Sequence, residues 1–378
     1  MDPFTLIPSS LLLLIIKQTP TFADLQSILV ASPCFASLFN ECATEIVEAV
    51  ASSKLSKPLH HLLHTVAKIR SGLLSGDEPL RYFDLVNGQQ HDRVPDLSST
   101  VARKLVLVAS NIERLADSCL RELLHRCRNI RPSHSADPQF RFTDDAVNEW
   151  PPGISYSPQD CGPPSWVEEE RVLRALWRLQ VFFDLRREIP DTPWLGPRSQ
   201  KLGNIDGSEF WKALPAWELD EIDCVYECLQ DIIGQDSNNS SELSAPVQSR
   251  DRMRQLPVAP LVGIVEAWPA AGWELEAPQN LMKDNQEASL RPNPGFNFFR
   301  TLGSLGGRSP LDGTDFREFR RIGFGIWSMK RLCGLEVWNW PPKVVPPRNG
   351  IYYQFGVDEW MSTDNILFTW RSIQTNGV

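Results

Sequence analysis

Through the first 130 residues, apolar side chains recur at steps of three and four, and helix start signals cut that period into short pieces. Pro8 leads into a first piece, about Ser10–Lys17, dominated by the run Leu11 to Ile16. Thr21 with Asp24 three residues on starts a second, carrying Leu25, Ile28 and Leu29. Ser32-Pro33 sets a capping hydroxyl before a proline at the first helical position. Behind it, Phe35, Leu38, Phe39, Cys42, Ile46 and Val50 form one stripe, read as a third helix. A further helix over about Pro58–Leu74 carries Leu59, Leu62, Leu63, Val66 and Ile69. Helices this short are marginal alone in water, so they must bury their stripes against one another. The expected fold class is therefore mainly α.

A longer helix follows over about Ser98–Arg128, where Val101, Leu105, Val108, Ile112, Leu115 and Cys119 alternate steps of four and three. A coiled-coil seam and a bundle helix share that spacing, and a bundle is the reading adopted. Residues 131–164 lose the period and collect seven prolines, as a linker or crossover would. Ser165-Trp166-Val167-Glu168 then gives a capping box. Its helix places Glu168, Glu169 and Glu170 in the first turn and Arg186 and Arg187 in the last, both suited to the helix dipole. Another helix spans about Pro215–Ile233, and residues 235–251 read as a polar loop. One more is expected over Asp315–Leu332, weakened by Gly323-Phe324-Gly325. Short strands are possible in the tail from Ile351 to Ile373. The domain reading is 1–53, a helical extension 54–130, the proline-rich segment 131–164, and a mostly helical domain 165–378 containing most of the 13 Trp.

Charge narrows the function. Residues 1–130 hold 13 basic and 13 acidic side chains, whereas 201–290 hold 6 and 16, so the net charge of −9 lies beyond the first third. An acidic region repels a phosphate backbone and argues against nucleic acid as the main partner. The eight cysteines are scattered, mostly on apolar helical faces, which fits reduced thiols in a cytoplasmic or nuclear protein. The run Leu11 to Ile16 is far short of the roughly 20 apolar residues of a membrane span.

Motifs for chemistry are missing. Gly303-Ser304-Leu305-Gly306-Gly307 has the spacing of neither a nucleophile elbow nor a phosphate loop. His60 and His64 stand one helical turn apart beside His61, but their helix brings no glutamate or cysteine to complete a metal site. Cys224 and Cys228 are similarly spaced without a second pair. Arg317, Arg320, Arg321, Lys330 and Arg331 interleave with Phe319, Phe324 and Trp327, a mixture that binds single-stranded nucleic acid or simply forms a basic face against the acidic region. The expectation is a non-enzyme with no metal and no cofactor, and an enzyme with an unrecognised site is the lesser alternative.

The window Ile7–Phe35 resembles an F-box. Ile7-Pro8 stands for the family's opening Leu-Pro, Leu11, Leu14 and Ile15 for its aliphatic helix, Asp24-Leu25 and Ile28 for its second signal, and Ala31 to Phe35 for its end. Ser10 departs from the usual glutamate, and Pro33-Cys34 from the usual cysteine-basic pair. The remainder is similar to a group of filamentous-fungal proteins that begin with such a module. Three pieces carry that similarity: Arg174 to Gln180, Trp217 to Leu229, and Arg321 to Trp327. The resemblance implies a three-helix module that docks a Skp-type subunit of a cullin–RING ubiquitin ligase, with Pro8, Leu11, Leu14, Leu25, Ile28 and Phe35 as adaptor contacts. It implies a carboxy-terminal domain that recruits an unknown protein. A scaffold or regulatory protein that never joins a ligase is the competing expectation, and neither reading involves a membrane.

Overall fold

The computed structural model describes residues 2–72, 96–130, 133–134, 154–155, 157–188, 214–236, 293–295 and 317–334. These are mainly α-helical. A 3-10 turn, Pro3–Leu6, precedes α1 (Ser9–Lys17), α2 (Phe22–Ala31), α3 (Pro33–Glu41), α4 (Ala43–Lys54) and α5 (Lys57–Arg70). Then come α6 (Ser99–Asn129), α7 (Trp166–Glu188), α8 (Ala216–Asp236), α9 (Arg317–Arg321) and α10 (Met329–Gly334). Among the described residues the only strand pairing is antiparallel, Ser133 opposite Ser155 and His134 opposite Ile154. The polar loop near 235–251, the tail strands, the glycine turn at 303–307, most of 131–164 and the side chains of Arg186 and Arg187 lie outside the described residues.

Local chemistry sets the helix starts. Thr21 Oγ1 accepts the Asp24 amide at 3.0 Å and donates to that residue's carboxylate at 2.7 Å. Ser32 accepts the Phe35 amide at 3.3 Å ahead of Pro33, and Ser56 accepts the Leu59 amide at 3.4 Å ahead of Pro58. Each hydroxyl satisfies an amide the helix itself cannot. The stripe from Phe35 to Val50 is divided. Cys42 leaves helical geometry, at φ −123° and ψ 31°, and α3 ends where α4 begins. Both helices bury their stripes in one core, so the apolar period passes through the bend without marking it.

Internal packing divides the chain into two units. The first holds Met1–Ser118, Glu170–Ile222 and Ile233–Gln286, and the second holds Cys119–Glu169, Asp223–Ile232 and Glu287–Val378.

In the first unit α1 packs on α3 and α4, and α2 packs on α3. Leu12, Ile16, Phe22, Leu25, Phe35, Phe39, Ile46, Val50, Leu63 and Val66 are buried there. Each such side chain contributes about 1.5–3 kcal/mol of transfer free energy, which offsets the entropy of ordering short helices. Polar groups tie the pieces together. The Asp2 carboxylate accepts the Phe4 amide at 3.0 Å, the Cys34 amide at 3.1 Å and the Ser32 hydroxyl at 2.6 Å, which joins the 3-10 turn to the start of α3. These bonds, led by Ser32, hold its carboxyl below the usual range. Glu113 on α6 accepts the Phe22 and Ala23 amides at 3.0 and 2.8 Å and so caps α2 from outside. Burial of that carboxyl pushes it up to about 7 against the pull of the two amides.

The second unit is organised around two buried hubs. Trp327 is fully enclosed, and its Nε1 donates to the Ile322 carbonyl at 2.5 Å and to Cys127 Sγ at 3.0 Å. Gly323 makes this possible: its φ is +85°, and a Cβ there would sit 2.6 Å from the indole ring. This turn is why the expected helix over 315–332 appears as α9 and α10 with a break between. The second hub is the Glu168 carboxylate. It accepts the Ser165 amide at 2.7 Å, the predicted capping box, and also Ser328 N, Ser328 Oγ and the Arg331 guanidinium at 2.7–3.1 Å. Burial alone would raise this acid, but Arg331 and the amides together hold it below its usual value.

Candidate docking face and histidine cluster

Helix α1 is apolar all round, with the sequence SSLLLLIIK, and can bury only one side. Leu12 and Ile16 take the core. Leu11, Leu14 and Ile15, at helical spacings of three and four, point outward at 51, 58 and 48% exposure. Leu6 just before the helix and Val30 on α2 are exposed at 93 and 75%. Large aliphatic side chains grouped as Leu11, Leu14 and Ile15 are on one side of a helix favour contact with another apolar surface. The six residues assigned to adaptor contact separate by this geometry. Pro8, Leu11 and Leu14 are exposed and Ile28 is half-buried, whereas Leu25 and Phe35 are core residues. Phe35 also meets the Phe4 ring edge-on with centroids 4.9 Å apart. The sequence pattern cannot separate these roles, because all six assigned positions are apolar.

His60 and His64 lie on α5 one turn apart, with Nε2 atoms 3.0 Å from each other. Glu48 of α4 reaches both, Oε1 at 3.3 Å from His60 and Oε2 at 3.2 Å from His64. The carboxylate missing from the histidines' own helix is thus supplied by the preceding one. No local spacing announces that, since the turn between α4 and α5 creates it.

Among the described residues, several arginines and glutamates of α7 and α8 are buried in ion pairs. In the first unit, Arg174 on α7 donates to Glu221 of α8 at 2.6 Å and lies 5.0 Å over the Trp217 ring. Arg178 pairs with Glu218 at 3.1 Å, Arg171 with Glu221 at 3.6 Å, and Arg70 with Asp184 at 2.5 Å. Burial works against the Arg174 charge, and Glu221 and Glu218 more than restore it. Burial pushes Glu221 up to about 7, with Arg174 and Arg171 opposing. Ser56 donates to the buried Glu170 carboxylate. These pairs fix one register between helices, because a shift of either helix would leave a charge buried and alone.

The basic cluster divides in the same way. In the second unit Arg320 is buried against Asp223 and Glu227 at 3.6 and 3.8 Å, and Arg331 against Glu168. Neither offers its guanidinium to a nucleic acid, and Arg320 does face the acidic stretch. Cys119, Cys127, Cys224 and Cys228 are buried packing residues, and Trp177 and Trp327 are core residues. Among the described residues no single helix is long and apolar enough to cross a membrane. No protein-family model, curated protein or solved structure matches the chain.

Proposed function

We propose that the chain is an F-box-like adaptor: its amino-terminal helices dock a Skp-type subunit of a cullin–RING ubiquitin ligase, and its remainder recruits a protein partner. The observation that carries this reading is the outward apolar face of α1, Leu11, Leu14 and Ile15, on a helix whose Leu12 and Ile16 face the core. The resemblance of Ile7–Phe35 to an F-box lends it a partner class, and the exposed residues coincide with that window's aliphatic helix. Pro8, Leu11, Leu14 and Ile28 form the contact, and Leu25 and Phe35 hold the helices that present it. The adaptor role supplies proximity between a substrate and the ligase, with no bond made or broken by this chain.

Mixing the purified full chain with a Skp-type protein tests this by calorimetry. A saturable 1:1 complex is expected. The double change Leu11→Asp and Leu14→Asp should weaken it about a hundredfold or more, since each buried leucine is worth about 1.5–3 kcal/mol. Both positions are exposed, so the variant should melt as the parent does. By contrast Leu25→Ala should lower stability by about 2–5 kcal/mol. Absence of a complex with the parent chain, or a complex indifferent to the double change, rejects the ligase reading and leaves the scaffold.

A further inference from the structure

We propose that Glu48, His60 and His64 form a divalent transition-metal site, of the zinc and cobalt class, with a fourth position open to water. The three donor atoms, one from each residue, lie within 4.8 Å of one another. Tetrahedral zinc, with bonds of about 2.0–2.2 Å to nitrogen and oxygen, spaces its ligand atoms about 3.3 Å apart. His60 and His64 Nε2 are 3.0 Å apart, each has a different Glu48 oxygen within 3.3 Å, and a single oxygen of that carboxylate lies within 4.8 Å of both nitrogens, so rotation of the carboxylate and rings can bring the three donors to that spacing.

Proton bookkeeping points the same way. His60 Nε2 faces both His64 Nε2 and a Glu48 oxygen, and His64 Nε2 faces both His60 Nε2 and the other Glu48 oxygen. A ring nitrogen carries at most one hydrogen, which can point at only one of two neighbours. If both nitrogens carry one, the two N–H groups confront each other. If only one does, the other nitrogen turns a lone pair toward a carboxylate oxygen. A single cation at the centre meets all three lone pairs at once.

The donor set selects the metal. Two imidazoles and a carboxylate suit zinc and its neighbours, whereas magnesium and calcium prefer oxygen alone and cuprous ion prefers sulfur. Access is open, because the Glu48 side chain keeps 37% exposure while His60 and His64 keep 21 and 11%. An ion can therefore enter from the Glu48 side, and water completes the coordination. The ion would clip α4 to α5 across the Leu55-Ser56 turn, within the first unit. The proposal is independent of the docking face on α1.

The test uses the purified full chain, stripped with chelator and titrated with Co2+, whose visible absorption reports low-symmetry coordination. One equivalent should bind with nitrogen–oxygen character and be displaced by Zn2+. Glu48→Gln and His64→Gln should each weaken binding about tenfold or more, and His60→Gln with His64→Gln together should abolish saturable uptake. Circular dichroism of each variant checks that the helices persist. Should the double variant unfold, the half-exposed Glu48→Gln decides alone: unchanged affinity overturns the proposal. It is equally overturned if the parent chain takes up no equivalent, or if uptake survives in a folded double variant with thiolate charge-transfer absorption.

Discussion

The Glu113 carboxyl offers a direct measurement of how burial and capping compete. Its two oxygens accept the first amides of α2, Phe22 and Ala23, at 3.0 and 2.8 Å. A helix amino terminus favours an anion there. Burial disfavours the charge more strongly, Asp24 adds to that, Lys54 opposes it, and the carboxyl rises from 4.5 to about 7. A folded-state value above the unfolded one means that the folded chain holds the proton more tightly. Below pH 4.5 both states are protonated and no stability is lost. Between 4.5 and 7 stability falls as pH rises, and above 7 the full cost of the buried charge remains. Integrated from pH 5.0 to 7.5, the loss is about 2 kcal/mol. Glu113→Gln removes that dependence while leaving one acceptor for α2. Urea unfolding of both proteins, followed by far-ultraviolet circular dichroism across this range, isolates the group, since all other titrations cancel in the difference. The parent should lose about 2 kcal/mol relative to the variant as pH rises. A flat difference refutes the reasoning. A difference of opposite sign would mean that the helix amides outweigh burial.

Gly323→Ala should destabilise by about 1–2 kcal/mol from its left-handed backbone, plus the displacement of the Trp327 ring. Gly162→Ala, at φ +78° with nothing within 4 Å, should incur only the first cost, so thermal melts of the pair separate strain from contact. Glu168→Gln leaves the buried Arg331 without its counter-charge and should cost about 3–5 kcal/mol at neutral pH. Because the Glu168 carboxyl is held below its usual value, that gap should persist above pH 4.5 and close as pH falls through the folded-state value. Denaturant titrations at pH 7 and pH 3.5 check this.

The helix starts were legible because the responsible interactions span three residues: Thr21 to Asp24, Ser32 to Phe35, Ser56 to Leu59, Ser165 to Glu168. The bend at Cys42 was not, because no proline or glycine marks it and the same core receives both stripes. The outward side of α1 was equally hidden, since nothing in a run of leucines and isoleucines ranks one above another. Of the partners far apart in the chain, only the meeting of the basic cluster with the acidic region, made by Arg320, was legible, as charge alone. Glu170 meets Ser56 across 114 residues, and Arg331 meets Glu168 across 163. Glutamates at the start of α7 look like ordinary dipole partners until the fold encloses them. Glu48 escaped for a different reason: it is only twelve residues from His60, but on the preceding helix, beyond the Leu55-Ser56 turn.

The buried sulfurs give this chain its own clock. Burial pushes the Cys127 thiol up to about 12 and holds Cys119 and Cys224 well above the ordinary thiol range, so none forms a nucleophilic thiolate while folded. All three belong to the second unit, whereas the half-buried Cys34 and Cys42 belong to the first. An alkylating reagent should therefore mark the first unit's sulfurs at rates set by access. The second unit's enclosed thiols should react only when that unit opens, and the mass of each labelled peptide would time that opening without any added probe.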